Sequence, residues 1–265
     1  MTIEYIKLSP TGNITLLVPT PVPRALQPQV ARALLARVGG EQVGYIEGDA
    51  RLQMMGGEFC GNATMSLGAL LARDRGLAPG EALALSIGVS GADGPVPCRI
   101  EAAEDAWLGT VRMPLPTGIA EASLETDAGT LVAPLVRLPG IAHLILPAER
   151  APSEEELRRR LPEWNGSIGA DALGALRWDA GAGAIDPLVC VPSAGTLVRE
   201  HGCGSGSAAL GCWLAHRAGA DVEVPVRQPG GTITVQVEIS GGRLTGVTIT
   251  GRVTLLEEGA VEIEL

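Results

Sequence analysis

The chain has 265 residues, of which 46% are hydrophobic and 19% are charged, and its formal net charge at pH 7 is −10. This length allows one large domain or two of ordinary size. The acidic balance argues against nucleic acid or an anionic membrane surface as a partner, because both are bound through clustered Lys and Arg. No apolar run approaches the roughly 20 residues of a membrane span, and the first residues lack a signal peptide, so we expect a cytoplasmic protein.

The first half of the chain shows the periodicity of short strands with two helices. A hairpin, a helix that ends at Gly39-Gly40 and two further strands precede Cys60. An apolar helix follows this cysteine, and three strands come after the helix. The predicted strands cover residues 3–7, 14–18, 43–46, 51–54, 82–89, 96–101 and 107–113, and the predicted helices cover residues 27–38 and 62–73.

The second half repeats this order of elements. Pro and Gly residues at 114–118 break the pattern, and we place the domain boundary there, between residues 1–115 and 116–265. Ser153 is predicted to cap a helix, with Glu156 at the capping-box position. A further helix follows Cys203, and the last strand is free to pack back on the first domain. The predicted strands cover residues 141–146, 188–191, 196–199, 232–239, 244–250 and 261–265.

Two segments of the chain are near copies of each other. Residues 60–72 and 203–215 align without a gap, and Cys, Gly, Leu, Gly, Leu and Ala recur at the same offsets. This repeat favours two domains, each a sheet wrapped around a buried central helix. Each copy places a thiol just before the start of a helix, where backbone N–H groups and the helix dipole favour an anion such as a substrate carboxylate.

The paired thiols suggest a chemistry. A cysteine at a helix start has a lowered thiol pKa, so we expect thiolate near neutral pH. One thiolate and one thiol on opposite sides of a carbon meet the needs of a two-base racemase, since one removes the α-proton and the other returns a proton to the opposite face. We therefore predict Cys60 and Cys203 as catalytic residues. The other cysteines, at positions 98, 190 and 212, are predicted to be core residues.

This mechanism needs no cofactor. A pyridoxal-phosphate racemase requires a lysine for its Schiff base, and the only lysine, Lys7, lies in a predicted strand. The chain carries no zinc-binding or nucleotide-binding motif, so no metal site is predicted. Two alternatives stay open for the cysteines: a disulfide between Cys60 and Cys203 as an oxidised resting state, and an inert amino-acid-binding module in which both motifs only cradle a carboxylate.

Three motifs resemble those of diaminopimelate epimerase and its relatives: Thr11-Gly12-Asn13, Cys60-Gly61-Asn62 and Cys203-Gly204-Ser205-Gly206, in this order and spacing. The resemblance covers essentially the whole chain. It implies an α/β, pseudo-symmetric two-domain fold of the diaminopimelate epimerase type, with one catalytic cysteine from each domain. It also implies which residues hold the α-amino and carboxylate groups of an amino-acid substrate, namely Asn13, Gly61, Asn62, Gly204 and Ser205.

The segments that would bind the far end of diaminopimelate depart from the epimerase pattern. The Gly-Asn-Pro-His of the epimerase stands here as Gly140-Ile141-Ala142-His143, and its Glu-Arg-Gly-x-Gly-Glu-Thr is replaced by residues 196–202. The groups that grip a second amino-acid head are therefore missing.

A closer resemblance is to the histidine racemases that supply D-histidine for opine-type metallophores. It is carried by residues 41–47, 57–66 and 228–231, and by Glu200, three residues before Cys203. It implies a histidine racemase of metallophore biosynthesis, with Glu41 recognising the side chain or the amino group of the substrate and Glu200 also in the substrate site. Diaminopimelate or another amino acid is the alternative substrate on this fold, and a homodimer is compatible with the sequence.

Overall fold

The computed structural model describes residues 1–264. The chain forms two compact units, one of Met1–Arg112 with Thr250–Leu265 and one of Met113–Ile249. The first break lies close to the boundary placed after residue 115, whereas the residues from Thr250 onward belong with the first unit. The assignment of residues 1–115 and 116–265 as two domains stays a prediction.

The first unit consists of a closed sheet with two helices. Its strands are β1 (Thr2–Pro10), β2 (Thr15–Val18), β3 (Gln42–Ile46), β4 (Arg51–Met54), β5 (Ala82–Val89), β6 (Val96–Ala102), β7 (Trp107–Arg112) and part of β16 (Arg243–Glu262). Strands β1 to β7 neighbour each other in chain order, and β16 lies beside both β7 and β1, so the sheet closes on itself. Helix α1 (Gln27–Val38) packs against β3, whereas α2 (Gly61–Asp74) contacts six of the strands.

Helix α2 is buried along nearly its whole length, as its apolar sequence predicts. Two of its buried polar side chains donate to backbone carbonyls one turn earlier: the Thr64 hydroxyl to that of Cys60 at 2.6 Å, and the Ser66 hydroxyl to that of Asn62 at 3.0 Å. A Cβ at Gly68 would lie 2.8 Å from Ile100 Cδ1, so this glycine lets α2 approach β6 closely.

The second unit also places a sheet around a buried helix. Its strands are β8 (Gly118–Thr126), β9 (Gly129–Leu138), β10 (Ile141–Pro147), β11 (Leu173–Asp179), β12 (Ala184–Val191), β13 (Thr196–Arg199), β14 (Val222–Gln228), β15 (Gly231–Ser240) and the start of β16. Their order is β8-β9-β10-β11-β12-β14-β15-β16, and β13 pairs with β12. Helix α3 (Glu154–Ile168) packs on β8, β11 and β12, and α4 (Gly204–Ala218) contacts β9, β10, β14 and β15.

Several predicted elements are confirmed, and others need correction. Helix α1 has the predicted bounds, and Ser153 caps α3 by accepting from the Glu156 N–H at 3.2 Å. The Glu156 carboxylate accepts from the Asp127 N–H. The prediction of separate strands at 244–250 and 261–265 is wrong, because β16 runs unbroken from Arg243 to Glu262; Leu265 lies outside the described residues. Strands β8, β9, β11 and β14 were missed.

The predicted core cysteines Cys98, Cys190 and Cys212 are buried, and no disulfide joins any cysteines among the described residues. No helix in the described part of the chain is both long and apolar enough to cross a membrane.

Candidate active site

Cys60 is the N-cap residue of α2. Its Sγ accepts from the backbone N–H of Ala63 at 3.4 Å, so the sulfur takes the place that a Ser or Asp oxygen occupies in an ordinary N-cap. The side chain is partly exposed. Cys60 therefore presents its thiol where the first N–H groups of a buried helix favour negative charge.

A chain of polar side chains lies behind the Cys60 thiol. Cys60 Sγ donates to Gln42 Oε1 at 3.0 Å, and Gln42 Nε2 donates to Asn13 Oδ1 and, at 2.8 Å, to Thr15 Oγ1. Asn13 Nδ2 in turn donates to Glu41 Oε2 at 2.6 Å. The structure thus brings the predicted site residues Asn13, Glu41 and Cys60 into one network. Sequence reasoning missed Gln42, and its place beside Glu41 was the available signal.

Gly61 and Asn62 form the first turn of α2 next to the thiol, and both are buried. The loop before Cys60 is held by Ser90, whose hydroxyl accepts from the Met54 N–H at 2.9 Å and donates to the Glu58 carbonyl at 2.8 Å. The start of α2 is therefore fixed both by its cap and by the preceding loop.

Cys203 occupies the same position at the start of α4. Its Sγ accepts from the Gly206 N–H at 3.2 Å, and the residue is 1% exposed. Burial raises the pKa of this thiol well above its ordinary value, and the Glu200 carboxylate raises the pKa further through its charge and hydrogen bond. These effects outweigh hydrogen bonds from Ser205 and Gly206, which lower the pKa. The expected lowering is therefore wrong for Cys203, which rests as a neutral thiol.

Gln228 holds the backbone at Cys203. Its Oε1 accepts from the Cys203 N–H at 2.6 Å, and its Nε2 donates to the Ser207 hydroxyl at 2.9 Å. Ser207 donates to the Cys203 carbonyl at 2.8 Å, which completes a ring of three hydrogen bonds. Ser207 corresponds to Thr64 in the sequence repeat. Gln228 belongs to a motif noted in the sequence, where no role was assigned to it.

His143 is fully buried beside the same cysteine motif. Its Nε2 lies 3.0 Å from the Ser205 hydroxyl, which is 3.6 Å from Cys203 Sγ. Burial lowers the pKa of His143 to about 3, so the imidazole is neutral at pH 7. Its Nδ1 has no hydrogen-bond partner among the described residues. Sequence reasoning assigned no role to His143.

The other site residues predicted near Cys203 lie in two segments of the chain. Gly204 and Ser205 form the first turn of α4, and Glu200 lies against the Cys203 thiol. Arg199, which precedes Glu200, forms ion pairs with Glu154 at 2.6 Å and Asp186 at 3.0 Å. Within residues 1–264, no group of three or more His, Cys, Asp or Glu side chains is placed to hold a metal ion.

Comparison with known proteins gives the family. The model of the histidine racemase CntK N-terminal domain matches residues 2–261 of the chain. The chain belongs to the CntK family. A histidine racemase of Fusobacterium nucleatum is 29% identical to this CntK-family protein in an alignment of 268 positions that covers 98% of the chain and 97% of that protein. A histidine racemase of Staphylococcus aureus is 29% identical in an alignment of 276 positions that covers 99% of the chain and 98% of that protein.

A solved structure shows the fold of the CntK-family protein. It is a hydroxyproline epimerase from Agrobacterium vitis with bound trans-4-hydroxy-L-proline, and it matches with a TM-score of 0.69 at 16% identity, over 98% of this chain and 92% of that chain. The predicted pseudo-symmetric α/β fold and the predicted resemblance to histidine racemases are both confirmed. The CntK-family protein is an isomerase, an amino-acid racemase.

Proposed function

We propose that this racemase interconverts L- and D-histidine without a cofactor, with Cys60 and Cys203 acting on opposite faces of the α-carbon. The observation that carries the mechanism is that both sulfurs cap a helix start, accepting backbone N–H groups at 3.4 Å and 3.2 Å. Thiols so placed are suited to general acid–base catalysis beside a bound carboxylate. The full-length likeness to histidine racemases supports histidine as the substrate.

In the proposed reaction, Glu200 takes the proton of the Cys203 thiol. The resulting thiolate removes the α-proton of the substrate, and the Cys60 thiol delivers a proton to the opposite face. The proton on Glu200 then passes through solvent to the Cys60 thiolate, so that each turnover leaves the proton count unchanged. The hydrogen bond between the buried Cys203 thiol and the Glu200 carboxylate supports Glu200 as the acceptor of that proton. The reverse reaction follows the same steps backwards.

The substrate is held, in this proposal, by the groups that surround the two thiols. N–H groups in the first turns of α2 and α4 bind the carboxylate, and this stabilises charge that develops as the α-proton leaves. Glu41 binds the amino group or the imidazole. The proposed substrate-binding residues are Asn13, Glu41, Gly61, Asn62, Glu200, Gly204 and Ser205. We further propose that the D-histidine product supplies an opine-type metallophore.

Proton NMR of the reduced protein with L-histidine in deuterated water tests the function. We expect the α-proton signal to disappear while chiral chromatography shows D-histidine. Cys60→Ser and Cys203→Ser should each abolish racemisation with the fold intact, because a serine hydroxyl is far less acidic than a thiol. Cys212→Ser, a change in α4 beyond its first turns, is the matched control and should keep activity.

Other outcomes would contradict parts of this proposal. Wild-type rates in either single variant would refute the two-thiol mechanism. If the α-proton of another L-amino acid exchanges, diaminopimelate and proline included, while that of histidine does not, that amino acid is the substrate in place of histidine. Binding of histidine with no exchange at the α-carbon would leave only an amino-acid-binding role.

A further inference from the structure

We infer that Gln42 is a positioning residue that orients the proton of the Cys60 thiol, through a hydrogen-bond chain whose direction is set by Glu41. The chain runs from Cys60 Sγ to Gln42 Oε1, from Gln42 Nε2 to Asn13 Oδ1, and from Asn13 Nδ2 to Glu41 Oε2. Every link has its donor on the side of Cys60.

The direction of the chain follows from the chemistry of its end. A carboxylate only accepts hydrogen bonds, so the Asn13 amide must turn its NH₂ group toward Glu41 and its oxygen toward Gln42. Gln42 must then present its own NH₂ group to that oxygen. The second hydrogen of this NH₂ group goes to Thr15 Oγ1 at 2.8 Å. Both hydrogens are therefore used, and the Gln42 oxygen is left to face the thiol.

The surroundings hold these amides in place. Thr15 and Gln42 are register partners in the parallel pairing of β2 with β3. Thr15 is fully buried, and Asn13 is 4% exposed. Turning the Gln42 amide would set its NH₂ group against the thiol and its oxygen against Asn13 Oδ1, leaving two buried acceptors face to face.

An amide oxygen beside sulfur favours the thiol over the thiolate, because only the thiol has a hydrogen to donate. Cys60 is thereby kept ready as a proton donor. This catalytic consequence rests on the proposed function, whereas the effect on the thiol does not. Two acidic residues lie at or near this chain of hydrogen bonds. Glu41 accepts its last hydrogen bond, and Glu58 lies two residues before Cys60 in the sequence. Burial raises the pKa of Glu58.

The test measures the rate at which iodoacetamide alkylates Cys60 across a range of pH, in a Cys203→Ser background. Gln42→Met removes the acceptor, so we expect the profile to shift to lower pH. The alkylation rate at pH 7 should rise about 5-fold, the factor that corresponds to the net free energy of one lost hydrogen bond. Gln42→Glu places a charged acceptor beside the sulfur, so the profile should shift to higher pH. Glu41→Gln frees the Asn13 amide to turn and should shift the profile toward that of Gln42→Met.

Gln53→Met is the matched control, because Gln53 is a buried glutamine of the same unit that donates to the Met54 carbonyl. It should leave the profile unchanged. A purely structural role for Gln42 would shift the Met and Glu variants in the same direction, and either that result or unchanged profiles would overturn the inference. Alkylation needs no substrate, so shifted profiles in these variants, together with a wild-type protein that racemises no amino acid, would refute the proposed function alone.

Discussion

The two cysteines occupy equivalent positions in the sequence repeat but have different hydrogen-bond partners. Cys60 donates to the neutral amide of Gln42, whereas the Cys203 thiol contacts the Glu200 carboxylate. An amide oxygen orients a thiol proton, and a carboxylate can also accept it. Equivalent helix starts therefore support unequal proton chemistry. The proposed mechanism uses this difference, because in each direction it has one thiol give a proton while the other takes one.

His143 makes the stability of the protein depend on pH. Its pKa is about 3 in the folded protein and about 6.5 in an unfolded chain, so the unfolded state binds more protons at mildly acidic pH. The contribution of neutral His143 to the free energy of unfolding is fully present above pH 6.5 and is lost as pH falls toward 3. We expect the urea midpoint to fall between pH 7 and pH 5, and to fall less in His143→Gln, because Gln has no proton to gain.

His216→Gln is the control for this experiment. His216 is exposed near the end of α4, so removing it takes away a histidine from the surface and leaves His143 in place. This variant should keep the wild-type pH dependence of the midpoint. An equal loss of pH dependence in both variants would show that burial of His143 is not the cause.

Elements with regular periodicity and a clear end signal were predictable from the sequence. Gly39 caps the end of α1, and Ser153 caps the start of α3. Two of the missed strands contain a proline, Pro134 in β9 and Pro225 in β14, and proline within a run argues against a strand. Their prolines are nevertheless paired with Glu121 and Thr234. Tertiary pairing therefore outweighs local preference in these strands.

The unbroken length of β16 has a similar explanation. Gly251 and Gly259 resemble breaks in the sequence, yet both continue the strand. A Cβ at Gly251 would lie 2.7 Å from Thr11 Oγ1, and a Cβ at Gly259 would lie 2.7 Å from Tyr5 Oη. These glycines admit close neighbours within the first unit, and the sequence alone does not distinguish this use of glycine from a turn.

Gly68 and Gly211 recur at the same offset of the repeat, and both lie where a helix packs closely on a strand. A Cβ at Gly211 in α4 would lie 2.5 Å from Val235 Cγ1 and would force the helix away from β15. We expect Gly211→Ala to lower the free energy of unfolding by about 1–3 kcal/mol, the usual cost of overpacking. Urea denaturation followed by far-UV circular dichroism measures this change.

Gly166→Ala provides the matched control in another helix. Gly166 lies inside α3, and a Cβ there would meet no atom within 4 Å. The added methyl group should raise stability by about 0.5–1 kcal/mol, because alanine is the better helix former. Stabilisation by both variants would mean that α4 has room at Gly211, contrary to the packing described here.

At the scale of the whole molecule, the sequence predicted the positions of the two thiols better than their surroundings. The repeat pointed to Cys60 and Cys203 because each motif is continuous in the chain. Gln42, His143 and Gln228 come from β3, β10 and β14, and their approach depends on strand order and register. Periodicity does not encode which distant strands become neighbours, so these partners emerge only from the fold.

Strand β16 gives the two units a common element. Its first residues belong with Met113–Ile249, and the residues from Thr250 onward belong with the first unit, where they pair with β1. Unfolding either unit would free one end of this strand and remove order from the other. We therefore expect the units to unfold together, although each has its own central helix.

Buried thiols in each unit allow this expectation to be tested. Cys98 belongs to the first unit and Cys212 to the second, and both are buried with their pKa raised to about 12 by burial, so neither reacts until its unit opens. Brief alkylation at increasing urea, with peptide mass spectrometry, should give the same midpoint for both. Partly exposed Cys60 should react without urea and serves as the internal control. Separate midpoints for Cys98 and Cys212 would show two independently folding domains, because a shared strand would then fail to couple them.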